Sequence, residues 1–123
     1  MNSTMTVLKI MPGRKPEKIT IPHTLDAMQY LVCGSIQAIY PYEDNVALVC
    51  NEEGKLLGLE GNRRLGTDII TGVFYVVGEN GRGNLISLTG KQMEKYRRRF
   101  WDPEYFTPAE ISRLLFAFFN AGW

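Results

Sequence analysis

Asn62, Arg63 and Arg64 follow directly on two apolar runs that flank a tight turn, and they are the side chains best suited to hold a ligand. A guanidinium offers five donors in a fixed fork that matches phosphate geometry, and an asparagine amide reads the edge of a base or ribose. Just upstream, Tyr40-Pro41-Tyr42-Glu43-Asp44 interrupts a strand-like stretch. Tyr40 or Tyr42 would stack on an aromatic ring, and Glu43 and Asp44 would meet a ribose or an amine. Asn51, at the turn between the apolar runs, supplies a further amide. Each has a plainer reading. Glu43-Asp44 serves equally as a turn, and Arg64 as a surface partner for Glu60.

Catalytic constellations do not accompany these groups. His23 is the sole histidine and lies between Pro22 and Thr24, where the chain enters a helix, so capping or surface placement is expected. Cys33, Cys50 and one histidine do not make a zinc set, and the two thiols are expected to be reduced and buried in apolar segments. Gly78-Glu79-Asn80-Gly81-Arg82-Gly83 has the glycines of a phosphate loop but neither the following helix nor the lysine and hydroxyl such a loop requires. It reads as a hairpin loop. Lys91 to Arg99 is the densest basic run; a solvated helix face is the plain reading and an anion contact the sharper one. No metal and no cofactor are expected, and no enzymatic activity.

The elements that must position these residues read as α+β. Thr6–Met11 and Lys18–Ile21 alternate as strands around turn chemistry at Pro12-Gly13. Thr24 as N-cap and Gly34 just past the C-terminus bracket a short amphipathic helix. Ser35–Tyr40 is strand-like. Asn45–Cys50 is apolar on both faces, the pattern of a covered central strand, with Leu56–Leu59 expected to pair back across Asn51-Glu52-Glu53-Gly54. The spacing makes Gly61–Gly66 a basic connection or a single helical turn, and Ile69–Val77 a second two-sided strand broken at Gly72. Leu85–Leu88 is a short returning strand. Capping boxes at Thr89/Gln92 and Thr107/Glu110 open two C-terminal helices. The sum is a largely antiparallel sheet of about five to seven strands, one short internal helix and two helices at the end.

Residues 1–106 are expected to form the ligand-binding domain, and residues 107–123 an apolar helix of the same domain. Ile111, Leu114, Leu115 and Phe118 make one stripe of that helix, and Phe116, Phe119 and Trp123 put apolar groups elsewhere around it. A helix apolar nearly all round is hard for a small domain to bury, so homo-oligomerisation through Ile111, Leu114, Leu115, Phe118 and Phe119 is expected. The chain has 123 residues, one domain's worth, and a formal net charge of +1, which argues against a nucleic-acid coat. No apolar run approaches the roughly 20 residues of a membrane span. The N-terminus lacks a signal-peptide pattern, so a cytoplasmic location is expected.

Tyr40-Pro41-Tyr42-Glu43-Asp44, Val46 to Lys55, Gly58-Leu59 and Asn62-Arg63 together resemble an uncharacterised domain-of-unknown-function family carried largely by phages, plasmids and integrated elements of Gram-positive bacteria. Ser87-Leu88-Thr89 and Glu94-Lys95-Tyr96, leading to Phe100, resemble that family's closing helix. The resemblance spans roughly Val7 to Phe106. The chain departs from it at Glu60-Gly61, where a proline and an apolar residue are usual, and at Arg64, where a small residue is usual. The resemblance implies a mobile-element setting and no assigned activity. In that setting the leading expectation is a counter-defence protein that sequesters a nucleotide-derived signal, of cyclic ADP-ribose or cyclic oligonucleotide type, in the host cytoplasm. The alternatives are a protein-interaction module acting on a host protein and a nucleic-acid-binding accessory using Lys91 to Arg99.

Overall fold

The computed structural model describes the backbone of residues 3–121 and the side chains of residues 3–115. A six-stranded sheet has the order β2-β1-β7-β4-β3, with β8 added to β7, and every pairing is antiparallel. Its strands are β1 (Thr4–Ile10), β2 (Glu17–Pro22), β3 (Ile36–Ile39), β4 (Val46–Asn51), β7 (Phe74–Glu79) and β8 (Leu85–Ile86). A second sheet pairs β5 (Gly61–Leu65) with β6 (Asp68–Thr71). Helices α1 (Leu25–Val32), α2 (Gly90–Arg99) and α3 (Pro108–Ala121) complete the chain. The α+β class and the antiparallel main sheet are as the sequence pattern predicts.

Strand alternation builds two cores. Along β4, Val46, Leu48 and Cys50 face one side, where Tyr96 of α2, Phe100 at its C-cap and Ile70 of β6 cover them. Ala47 and Val49 face the other, under Met28 and Val32 of α1. Both faces being covered explains why β4 and β7 are unbroken apolar runs, buried along nearly their whole length. Helix α1 carries the chain from the β2 edge to the β3 edge. Thr24 Oγ1 accepts from the Ala27 amide at its start, and Cys33 takes a left-handed conformation (φ 62°) at its end.

Two expectations about the middle of the chain are corrected. Leu56–Leu59 does not pair back on β4; residues 52–58 are a run of turns, leaving Leu56 and Leu57 exposed. The partner-strand pattern falls instead on Gly61–Leu65, read from sequence as a connection, which forms β5. Gly72, at φ 75°, splits the second apolar run into strands of different sheets, because that conformation turns the chain where β6 ends. Cys33 is exposed rather than buried, since it sits at the helix terminus; Cys50 is buried, and both thiols are free.

Candidate functional site

A β-bulge in β5 decides the fate of the predicted ligand-binding triplet. The pairing register slips between Gly61 and Arg63, so Asn62 is an extra residue opposite β6. The slip lets consecutive side chains turn inward, and Asn62 and Arg63 are both buried. Arg63 is the largest fully buried side chain of those described, at 1% exposure. Its Nε donates to the Phe100 carbonyl at 3.1 Å, and its Nη2 to Phe100 O at 2.9 Å and to Arg14 O at 2.6 Å. Its Nη1 donates to Asn62 Oδ1 at 2.8 Å and Asn62 O at 3.2 Å. All five N–H donors of the guanidinium are thus committed to oxygens of the protein.

Asn62 continues that network, donating from Nδ2 to Ile10 O at 2.9 Å and to Gly72 O at 2.8 Å. Burial pushes the Arg63 pKa below its usual value, and the nearby Glu104 and Asp102 carboxylates oppose that shift. No carboxylate among the described residues lies within ion-pair distance of it. Arg63 therefore staples the α2 terminus, the β1–β2 turn and β5 together, and has no donor left for a phosphate. This corrects the reading of Arg63 and Asn62 as ligand-facing groups: the bulge that buries them is not visible in residue types.

The other expected site residues do not converge on that point. Arg64 is exposed, stacks on Phe106 and approaches Glu110 of α3 at 3.7 Å, not Glu60. Tyr42 and Asp44 anchor α2. Arg99 Nε donates to the Tyr42 hydroxyl at 2.8 Å, and the Tyr42 and Tyr96 rings lie 5.2 Å apart. Tyr96 donates its hydroxyl proton to Asp44 Oδ2 at 3.0 Å, and Lys95 Nζ lies 3.5 Å from the same oxygen. Burial alone would raise the Asp44 carboxyl, yet hydrogen bonds from Tyr96, the Asn45 amide and Gln92, with Lys95 near, hold it below its usual value. Burial and the Asp44 bond raise the Tyr96 phenol well above its own.

Tyr40 and Glu43 are exposed beside this dock. Asn51 is buried, donating to Val32 O and Cys33 O while its Oδ1 accepts from the Glu53 amide at 2.7 Å. It ties the end of α1 to the turn after β4. The basic run is largely occupied as well, with Arg98 on Glu94, Lys95 on Asp44 and Arg99 on Tyr42. His23 is exposed, and the glycine loop after β7 is closed by Asn80 Oδ1, which accepts from the Arg82 and Asn84 amides.

A deep concave feature lies elsewhere, where the core face of the main sheet reaches its β3 edge. There a cleft of about 720 Å³ opens between β3, the turn after β4, β6 and α3. Ile39, Cys50, Ile70, Leu114 and Leu115 give it apolar walls, and Leu56 stands at its rim. Gln37 and Ile39 enter it because they pair with Cys50 and Leu48, which face that side of the sheet. Helix α3 is placed by Gly61, whose Cα lies against Phe106 and Ile111 with no room for a side chain. Polar groups at the mouth are Glu52, Glu53, Asp68 and Lys55, the last held 2.9 Å from Asp68. Burial raises the Cys50 thiol on the cleft floor, with Lys55 lowering and Asp68 raising it in turn.

Sequence reasoning missed this cleft because its walls come from four distant segments and consist of ordinary core residues. The one local signal was Leu56-Leu57, two leucines in a turn with no strand to hide them. Of the expected self-association residues, Ile111 packs on Gly61 and Leu114 and Leu115 line the cleft. The side chains of Phe118 and Phe119, like those of Phe116 and Trp123, lie outside the described residues. No described helix is long and apolar enough to cross a membrane.

Comparison with known proteins agrees with the resemblance at family level. A family model for a domain of unknown function (DUF3846) matches residues 5–101, and the chain belongs to that family. The matched span ends before α3, so one wall of the cleft lies outside it. No curated protein and no solved structure gives a match.

Proposed function

We propose that this member of the DUF3846 family is a non-catalytic binding module that takes an extended apolar segment of a partner protein along β3 and into the adjoining cleft. The observation that carries the reading is a sheet edge with no described strand paired to it, beside an apolar recess. Strand β3 ends the strand order, and its Gln37 and Ile39 share the recess with Ile70, Leu114 and Leu115. A segment added to such an edge gains main-chain hydrogen bonds, and every second side chain it carries enters the recess. Exposed Leu56 and Leu57, at 60% and 56%, extend the apolar surface past the rim. The mobile-element setting implied by the resemblance makes a host regulatory or defence protein the partner to expect, held stoichiometrically in the host cytoplasm.

A second reading keeps the nucleotide-derived signal and moves it into the same cleft. Its support is size: about 720 Å³ lies within the usual range for small-molecule sites, on the order of 300–1,000 Å³. Its charge counts against it. Three carboxylates (Glu52, Glu53 and Asp68) face the single ammonium of Lys55, a poor host for several phosphates.

Panning a library of random short peptides on the purified protein, then titrating the enriched sequences, tests the first reading. Enriched peptides should alternate apolar residues and lose at least about tenfold in affinity against Leu56→Asp and Leu114→Asp variants of unchanged fold. No enrichment, or binding indifferent to both variants, overturns it. A panel of cyclic nucleotides titrated in parallel decides for the second reading if one binds and Lys55→Ala abolishes the binding.

A further inference from the structure

We infer that the captured segment carries lysine or arginine at the end that lies across from Ser35, selected by a preset acidic rim at one end of the cleft. The inference rests on the peptide-capture reading and goes beyond it by fixing the chemistry and polarity of the partner.

The rim is asymmetric along β3. Ile36 pairs with Asn51, and the Glu52 amide donates to Ser35 O at 2.9 Å, so Glu52 and Glu53 stand at the N-terminal end of that strand. At the opposite end Ile39 pairs with Leu48 and the exposed ring of Tyr40 follows. Of the residues lining the cleft, Glu52 and Glu53 thus stand at one end of β3, whereas the other end runs on into the Tyr40 ring, with the exposed Glu43 three residues beyond and outside the cleft lining. Both Glu52 and Glu53 are exposed, and among the described residues neither forms an ion pair, whereas Lys55 is taken by Asp68.

The acidic turn is also held in place before any partner arrives. Asn51 Oδ1 accepts from the Glu53 amide, and Asn51 Nδ2 binds the last carbonyls of α1. Gly54 packs its Cα against Thr71 so closely that a Cβ would collide with the threonine hydroxyl. A turn fixed on both sides presents its charges without a backbone ordering cost on binding. Strand β3 spans four residues, about 13 Å at ~3.3 Å per residue. An apolar-x-apolar core would fill that length, with the basic residue falling just outside it beside Glu52 and Glu53.

Surface charges of this kind act through specificity and salt-dependent attraction rather than bulk affinity. The test uses three blocked peptides sharing a Val-Thr-Val-Thr core, preceded by two lysines, two glutamates or two threonines, each also made in the reversed order. Fluorescence anisotropy titrations against the full chain are run at low and high salt. In one of the two orders, the lysine peptide should bind about tenfold tighter than the glutamate peptide at low salt, with the ratio collapsing at high salt. The Glu52→Gln/Glu53→Gln variant should remove that preference while the threonine peptide binds it as tightly as it binds the native chain. Equal binding of all three peptides, or a preference that survives in the variant, overturns the acidic-rim inference alone. Failure of every peptide in both orders overturns the capture reading beneath it.

Discussion

Replacing Arg63 with alanine removes a side chain whose five donors all end on oxygens inside the protein. The substitution strands the Phe100 carbonyl, the Arg14 carbonyl and the Asn62 side-chain oxygen, and it opens a void where the largest of the fully buried side chains stood. Each buried acceptor left without a partner costs about 1–3 kcal/mol, though water entering the void recovers part of that. Removal of the guanidinium also relieves its own desolvation, an opposing contribution of several kcal/mol. With the void adding a large-to-small cost of its own, the net expectation is a loss of about 2–5 kcal/mol, against a total stability of roughly 6–18 kcal/mol for a chain of this length. In urea, with a slope near ~1.5 kcal/mol per molar, a 4 kcal/mol loss moves the midpoint down by about 2.7 M. Unfolding followed by intrinsic fluorescence reads this directly. Arg63→Lys should recover only part of the loss, because one ammonium has three donors and cannot span acceptors on three segments. A ligand-facing arginine at the surface would move stability by only about 0.5 kcal/mol either way. A loss under about 1 kcal/mol for Arg63→Ala would therefore refute the internal-staple account and return Arg63 to the list of candidate ligand contacts.

Three further outcomes follow from the same packing. The Asp44 carboxyl is held below its unfolded pKa, so its contribution is fully present above the unfolded value, 3.8, and is lost as pH falls through the lower folded value. Asp44→Asn should flatten the acid limb of stability below about pH 4 in pH-dependent urea melts, and an unchanged limb would count against the α2 anchor. The Tyr75 hydroxyl is buried with no hydrogen-bond partner among the described residues, and burial pushes its pKa up to about 12 with Cys33 and Glu17 adding to the shift. Tyr75→Phe should accordingly be neutral or stabilising by up to about 1 kcal/mol in thermal melts, and a destabilisation beyond that would reveal a hydrogen bond. Gly61→Ala forces a methyl into Phe106 and Ile111, costing about 1–3 kcal/mol and loosening α3. Hydrogen exchange should then rise across α3 first, and uniform exchange across the chain would argue against that local seat.

Much of the fold is written in local patterns. The two-sided apolar run at Val46–Cys50 announces a strand covered on both faces because period-2 alternation leaves no polar side to expose. Thr89 and Gln92 announce the start of α2 because a capping box satisfies amides that only a helix leaves free, and both of its bonds form. The candidate site was far less legible. Asn62-Arg63-Arg64 reads as a ligand fork from residue chemistry, and a single bulged residue turns two of its members into the core. Nothing in the types of Gly61 or Asn62 marks that slip, since it arises from how β5 must meet β6.

Residue order by itself determined which segments become strands or helices over most of the chain, and with them the α+β class. Those properties depend on neighbours within a few positions, where backbone geometry and side-chain period act directly. Tertiary structure alone decided which way Arg63 points, that Tyr42 and Asp44 serve to dock α2, and that a recess opens at the β3 edge. Burial and concavity are set by segments far apart in the chain: Arg14, Phe100 and Arg63 in one case, Ile39, Ile70 and Leu114 in the other.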